Sequence, residues 1–92
     1  MALKSDDHYA DAYSELGQIR MKRRELDLAE TAFQKSIQID PDNYLANLNL
    51  LVVYQRTRDP RQEEQAQRFE EVKKRRSEKE QLYLRKIEIR PY

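Results

Sequence analysis

Cysteine is absent from the 92-residue chain, glycine occurs once and proline three times. Without cysteine there is neither a disulfide scaffold nor a zinc finger. One glycine cannot supply a phosphate-cradling loop, a dinucleotide-binding turn or the many turns of an all-β domain. Long apolar runs are lacking as well. The longest, Leu50 to Tyr54, is far too short to span a membrane. Charge of one sign is also missing: Lys+Arg total 18 and Asp+Glu 17, for a formal net charge of +1, although 38% of residues are charged. That balance argues against the broad positive field of nucleic-acid binders, so nucleic acid is not the expected partner. Met1 to Asp7 (MALKSDD) has no apolar core, so no signal peptide is expected within the chain. The default compartment is then the cytoplasm, or an exported location if the chain is a processed piece.

What the chain does contain favours helices. Ala, Glu, Lys, Leu and Arg make up 45 of the 92 residues, the bias of long or packed helices. Leu, Ile, Val and Phe contribute only 20, close to the level of disordered chains. The near-zero net charge removes the self-repulsion that accompanies disorder, so one small folded domain is expected.

A first helix is expected from about Asp7 to Arg23, capped by Ser5 or Asp6, with Tyr9, Ala10, Ala12, Tyr13, Leu16 and Ile19 spaced by threes and fours. A charged corner, Lys22 to Glu25, leads to a second helix over Leu26 to Ile39. Asp40-Pro41 ends it, because the residue before proline is pushed out of the helical region. Asp42 or Asn43 caps a third helix, about Tyr44 to Arg56, apolar nearly all round and therefore central. Asp59-Pro60 opens a fourth, with Asp59 as cap, Pro60 in the first helical position and Ala66, Phe69 and Val72 as anchors. From Lys73 to Gln81 no residue is apolar, so any helix there stands in water.

Residues 10–43 (ADAYSELGQIRMKRRELDLAETAFQKSIQIDPDN) have the 34-residue period of a helical repeat. Tyr13, Leu16, Gly17, Ala29, Phe33, Ser36 and Pro41 stand at the spacing of the tetratricopeptide pattern, which this segment resembles without a gap. Arg20 replaces a usual tyrosine, and Arg24 a glycine that commonly makes the turn. A second, degenerate repeat starts at Tyr44: Ala46, Leu50 and Tyr54 fit, Asn47 and Leu51 replace the aromatic and the glycine, and the following helix is displaced by two or three residues. The expected fold is all-α, antiparallel helix–turn–helix repeats with a long C-terminal helix and tail. It forms one domain over 1–92: a first repeat at 10–43, a degenerate one at 44–76 and a tail at 77–92.

The resemblance implies a non-catalytic protein–protein interaction module. Its groove is lined by the first helix of each repeat, where relatives bind extended peptides or helices. It places Asp11, Ser14, Gln18, Met21 and Lys22 on that face, then Leu45, Leu48, Asn49, Val52, Gln55 and Arg56. Of these, Gln18, Met21, Lys22, Leu45, Leu48, Asn49, Val52 and Arg56 are the expected partner-binding set. Leu45, Leu48 and Val52 read equally well as core beneath the fourth helix. Asn49 fits one position of the carboxylate clamp found in some relatives, but Ser14 and Gln18 do not supply the rest. About three repeats are usually needed for stability, and fewer than two are good here. The chain is then the end of a longer array, or another chain, including a second copy, covers its open face.

Charge is unevenly distributed. Residues 73–92 carry eight basic and three acidic groups, net +5, whereas residues 1–72 carry ten and fourteen, net −4. Lys73, Lys74, Arg75 and Arg76 suit an anionic surface or the acidic body of another copy. Equally, they suit a solvated helix paired as Glu70–Lys74 and Glu71–Arg75. Leu82, Tyr83, Leu84, Ile87 and Ile89 follow nine polar residues. If the helix breaks near Ser77 this cluster folds back; if it stays helical the cluster docks on another chain. His8 is isolated, and no residue pattern implies a catalytic, cofactor or metal site.

Overall fold

A computed structural model describes the backbone of residues 3–88 and the side chains of residues 8–82. Four helices follow in order: α1 (Leu3–Lys22), α2 (Leu26–Ile39), α3 (Tyr44–Arg56) and α4 (Gln62–Glu88). They pack as a stack of antiparallel pairs. α1 lies on α2, α2 on α3 and α3 on α4, with a smaller contact between α1 and α3. The chain is thus an all-α assembly of helix–turn–helix units ending in a long helix.

α1 begins at Leu3, ahead of the caps expected at Ser5 and Asp6. Acidic residues in the first turns suit the positive end of the helix dipole, so positions 5 and 6 extend the helix rather than start it. α1 stops in a left-handed cap. Arg24 has φ 64°, its N–H donates to Met21 O (2.9 Å) and the Glu25 N–H donates to Arg20 O (2.9 Å). The same cap ends α3, where Arg58 has φ 55° and the Asp59 N–H donates to Tyr54 O (2.8 Å). The two arginines stand 34 positions apart. The helix starts that follow, Leu26 and Gln62, are 36 apart, so α4 begins two residues late in that period.

The turn between α2 and α3 is closed by short polar side chains. Asp40 Oδ1 accepts from the Asp42 N–H (3.1 Å), and Asn43 caps α3 by accepting from the Ala46 N–H (2.9 Å). Asp59 accepts from the Arg61 N–H (2.8 Å), leaving Pro60 and Arg61 in a turn ahead of the helix. α4 therefore starts two residues after the expected Pro60.

The core lies between α2 and α3: Ala29 and Phe33 meet Ala46, Leu50, Val53 and Tyr54, with Met21, Leu26 and Ile37 against its edge. Gly17 is where α1 and α2 cross most closely. A Cβ at this position would lie 2.6 Å from Phe33 Cζ and 2.7 Å from Cδ1, so only glycine fits under the ring. Ala10 and Ser14 complete that small-residue face, and Ser36 Oγ donates across it to Ala10 O (2.7 Å). Tyr9, Leu16 and Ile19 point away from it and remain exposed.

α4 is anchored on α3 by Phe69, Val72 and the buried Gln65, while Ala66 is half-buried. The Phe69 ring packs at 5.3 Å from Tyr44. Past Val72 every side chain through Leu82 is exposed, yet the helix runs unbroken through Ser77 to Glu88. The boundary expected at 76/77 falls inside this helix.

Candidate functional site

The face that the repeat pattern assigns to partner binding is built by α1 and α3. α3 buries Ala46, Leu50, Val53 and Tyr54 in the core with α2, and Asn47 against Gln65 of α4. The helical period then turns Leu45, Leu48 and Val52 to the opposite side. Leu45 is 46% exposed, and Leu48 and Val52 are half-buried. Around this trio stand Asn49, half-buried, and Arg56, exposed. On α1, Gln18 is half-buried and Lys22 exposed. Met21 differs from these, because it packs against the edge of the core.

Two neighbouring α1 positions are engaged within the chain. Asp11 Oδ1 accepts from Asn43 Nδ2 (2.9 Å), which links α1 to the cap of α3. Ser14 is buried, and its Oγ has no hydrogen-bond partner in the fold. Ser14 is thus turned into the fold, whereas Asp11 remains exposed while it holds the α3 cap.

The basic run of α4 is largely turned onto the chain itself. Arg75 forks onto Asp42 Oδ1 (Nη2 2.6 Å, Nε 3.0 Å) and reaches Glu71 at 3.8 Å. The hydrogen bonds that Arg75 donates to Asp42 raise its pKa. Arg76 lies 4.6 Å above the Tyr44 ring and 3.6 Å from Glu80. Lys73 sits over Phe69 at 5.1 Å and pairs with Glu70 (3.1 Å). Among the described residues Lys74 has no ion-pair partner, so the expected Glu70–Lys74 pair is replaced by Glu70–Lys73, one residue nearer. Leu82 is exposed. The Leu84 and Ile87 side chains, and Ile89 altogether, lie outside the described residues.

Sequence reasoning missed the polar pair Asn47 and Gln65. Gln65 interrupts no apolar pattern, because the α4 stripe was read from Ala66 onward. A cleft of about 330 Å³ opens between α2, α3 and α4, lined by Gln34, Tyr54, Arg61, Gln65 and Arg68 among others. There Gln34 Nε2 donates to the Tyr54 hydroxyl (3.2 Å), and the Arg61 guanidinium stacks 4.5 Å above the ring. Arg61 also pairs with Glu30 (2.9 Å) and Asp59 (2.7 Å). Among the described residues no group of three or more His, Cys, Asp or Glu side chains is placed to hold a metal ion. No helix there is long and apolar enough to cross a membrane.

Stacked helix–turn–helix units with an open α1–α3 face define a helical-repeat protein. Residues 10–43, a little over a third of the chain, match the family model for the tetratricopeptide repeat. No curated protein and no solved structure matches the chain. A repeat of this type suggests a protein–protein interaction module, and the family is typically non-catalytic.

Proposed function

We propose that the chain binds a peptide or helix of a protein partner across the α1–α3 face. One observation carries this reading: Leu45, Leu48 and Val52 form an apolar strip on the central helix, and the strip is left accessible although α3 touches every other helix. Burying such a strip supplies affinity at roughly 25 cal/mol per Å² of apolar surface, less the cost of ordering the partner. Gln18, Lys22, Asn49 and Arg56 form the polar rim that selects among partners. Among the described residues none of the four has a side-chain hydrogen bond or an ion pair, so their donors and acceptors are available. Met21 acts from behind, setting the position of Gln18 and Lys22 through its packing. The basic run has no part in this reading, since three of its four cations already face groups of the same chain.

The test selects short peptides from a random library on the full chain and compares variants. Leu45→Glu and Val52→Glu are expected to weaken the selected peptides about tenfold or more. Leu28→Glu, an exposed apolar position on α2, should leave them unchanged. Far-ultraviolet circular dichroism checks that each variant remains folded. Equal binding by all three variants overturns the assignment.

A further inference from the structure

The outer side of α1 carries an apolar stripe that the rest of the chain leaves open. Tyr9, Ala12, Leu16 and Ile19 recur at three- and four-residue spacing on the side away from Ala10, Ser14 and Gly17. Tyr9 is 60% exposed and Ile19 is 52% exposed. Single exposed apolar residues are ordinary, but four in register along about 15 Å of helix form a surface that water disfavours. The sequence of its first half is acidic. Residues 3–18 hold one lysine against Asp6, Asp7, Asp11 and Glu15, net −3.

The far end of α4 is the complementary element. Its distal half extends beyond the last buried residue, Val72, without touching α1 or α2. Because the helix is continuous through Ser77, Leu82 stands ten residues beyond Val72, away from its own α1. Leu82 is 59% exposed, and residues 73–92 carry net +5.

We propose that the distal part of α4, from Leu82 onward, docks on the α1 stripe of a second copy of this chain. The two segments are both rich in apolar residues and opposite in charge, net −3 for residues 3–18 and net +2 for residues 82–92. Two copies of the segment from Leu82 onward, each with Arg85, Lys86 and Arg90 against Glu88 for net +2, repel and do not pair with one another. The geometry also permits closure. The turn at Asp42–Asn43 contacts Asp11 of α1 and Arg75 of α4, so the start of α1 and the projecting part of α4 lie at the same end of the molecule. A two-fold axis at that end makes both contacts at once and leaves no free docking element, giving a dimer rather than a filament. This surface is separate from the Leu45–Leu48–Val52 face, so each proposal can fail without the other.

Sedimentation of the full chain from low micromolar to sub-millimolar concentration is the test. The wild-type chain is expected to form dimers that weaken as salt rises. Ile19→Glu and Leu82→Glu should each weaken dimerisation about tenfold or more. Both positions are exposed in the monomer, so the helical circular dichroism signal should not change. An equimolar mixture of the two variants should dimerise better than either alone, because one of the two contacts is intact in the mixed pair. Leu45→Glu should dimerise as the wild type does. A monomer at all concentrations overturns the proposal. Dimers untouched by Ile19→Glu also overturn it, as does a mixture that gains nothing over the separate variants.

Discussion

Gln65 donates its side-chain amide to both oxygens of Asn47, 3.0 Å to the backbone carbonyl and 3.1 Å to Oδ1, with both residues buried. Asn47 in turn donates to Pro41 O (3.0 Å) and Asn43 O (2.8 Å). One polar side chain thereby ties the α2–α3 turn, the first turns of α3 and the start of α4 into a single network. It occupies the position where the repeat pattern has an aromatic ring. Shape filling at that point has been exchanged for hydrogen bonding, and Gln65 is the matching change on the neighbouring helix.

Removing Gln65 leaves Asn47 Oδ1 buried without its donor. Removing the Asn47 side chain takes away two bonds to backbone carbonyls and leaves Gln65 only the backbone carbonyl of residue 47. Gln65→Ala and Asn47→Ala are each expected to cost about 1–3 kcal/mol in urea unfolding. The double variant should cost less than the two single losses together, with a coupling of about 1 kcal/mol. Strict additivity would mean that the pair contributes only as two independent fillers of space.

Gly17→Ala tests the crossing of α1 and α2. In a solvent-exposed helix this change gains about 1 kcal/mol from backbone propensity. Here the new methyl meets the rigid, fully buried Phe33 ring, and overpacking costs about 1–3 kcal/mol. The expected result is a net loss of stability, recovered when Phe33→Leu makes room in the same chain. A thermal melt decides the sign directly.

The helical period and the breakers made most of this fold legible. Pro41 and the Asn43 cap fix the α2–α3 turn, and the spacing of Gly17, Ala29 and Phe33 identifies the α1–α2 crossing. The apolar spacing of α1 was less informative about direction. It marks Tyr9, Ala12, Leu16 and Ile19 as one face, but that face looks outward, because the close crossing needs the small side of the helix inward. Burial of Gln65 was not legible either, since a polar residue becomes core only when a partner such as Asn47 meets it across the chain. For the candidate site, the family resemblance placed Leu45, Leu48 and Val52 on one side of α3. It could not separate Met21, which packs inward, from Gln18 and Lys22, which do not. Charge counting showed the basic run but not its partners, Asp42 and Tyr44, which lie about thirty residues away in sequence.

Arg24 and Arg58 each hold a left-handed backbone conformation that favours glycine. The conformation costs a non-glycine residue about 1–2 kcal/mol, partly offset by the greater freedom glycine has when unfolded. Arg24→Gly and Arg58→Gly are therefore each expected to stabilise the chain by about 0.5–1 kcal/mol. For Arg24→Gly, the change also restores the residue that the repeat pattern prefers at the turn. Chemical denaturation of the single and double variants measures both gains.

Asp59 provides a pH signature for the start of α4. Its carboxylate accepts from the Arg61 side chain (Nε 2.9 Å, Nη2 2.7 Å) and from the Arg61 backbone N–H (2.8 Å). These bonds favour the charged form and lower its pKa to about 2. In the unfolded chain an aspartate titrates near 3.9, about two units higher. The folded state therefore holds its proton less tightly, and the contribution to stability is fully present above about pH 4. It declines as pH falls from there toward 2 and is absent below that. Asp59→Asn keeps a side-chain acceptor but removes the charge, so its melting temperature should lie below that of the wild type at neutral pH. The gap should stay constant down to about pH 4 and close between pH 4 and 2. A gap that persists unchanged at pH 2 would place the effect in the shape of the turn rather than in the Asp59–Arg61 charge. A carboxyl carbon titration of Asp59 by nuclear magnetic resonance, with a midpoint near 4, would contradict the geometry at the same site.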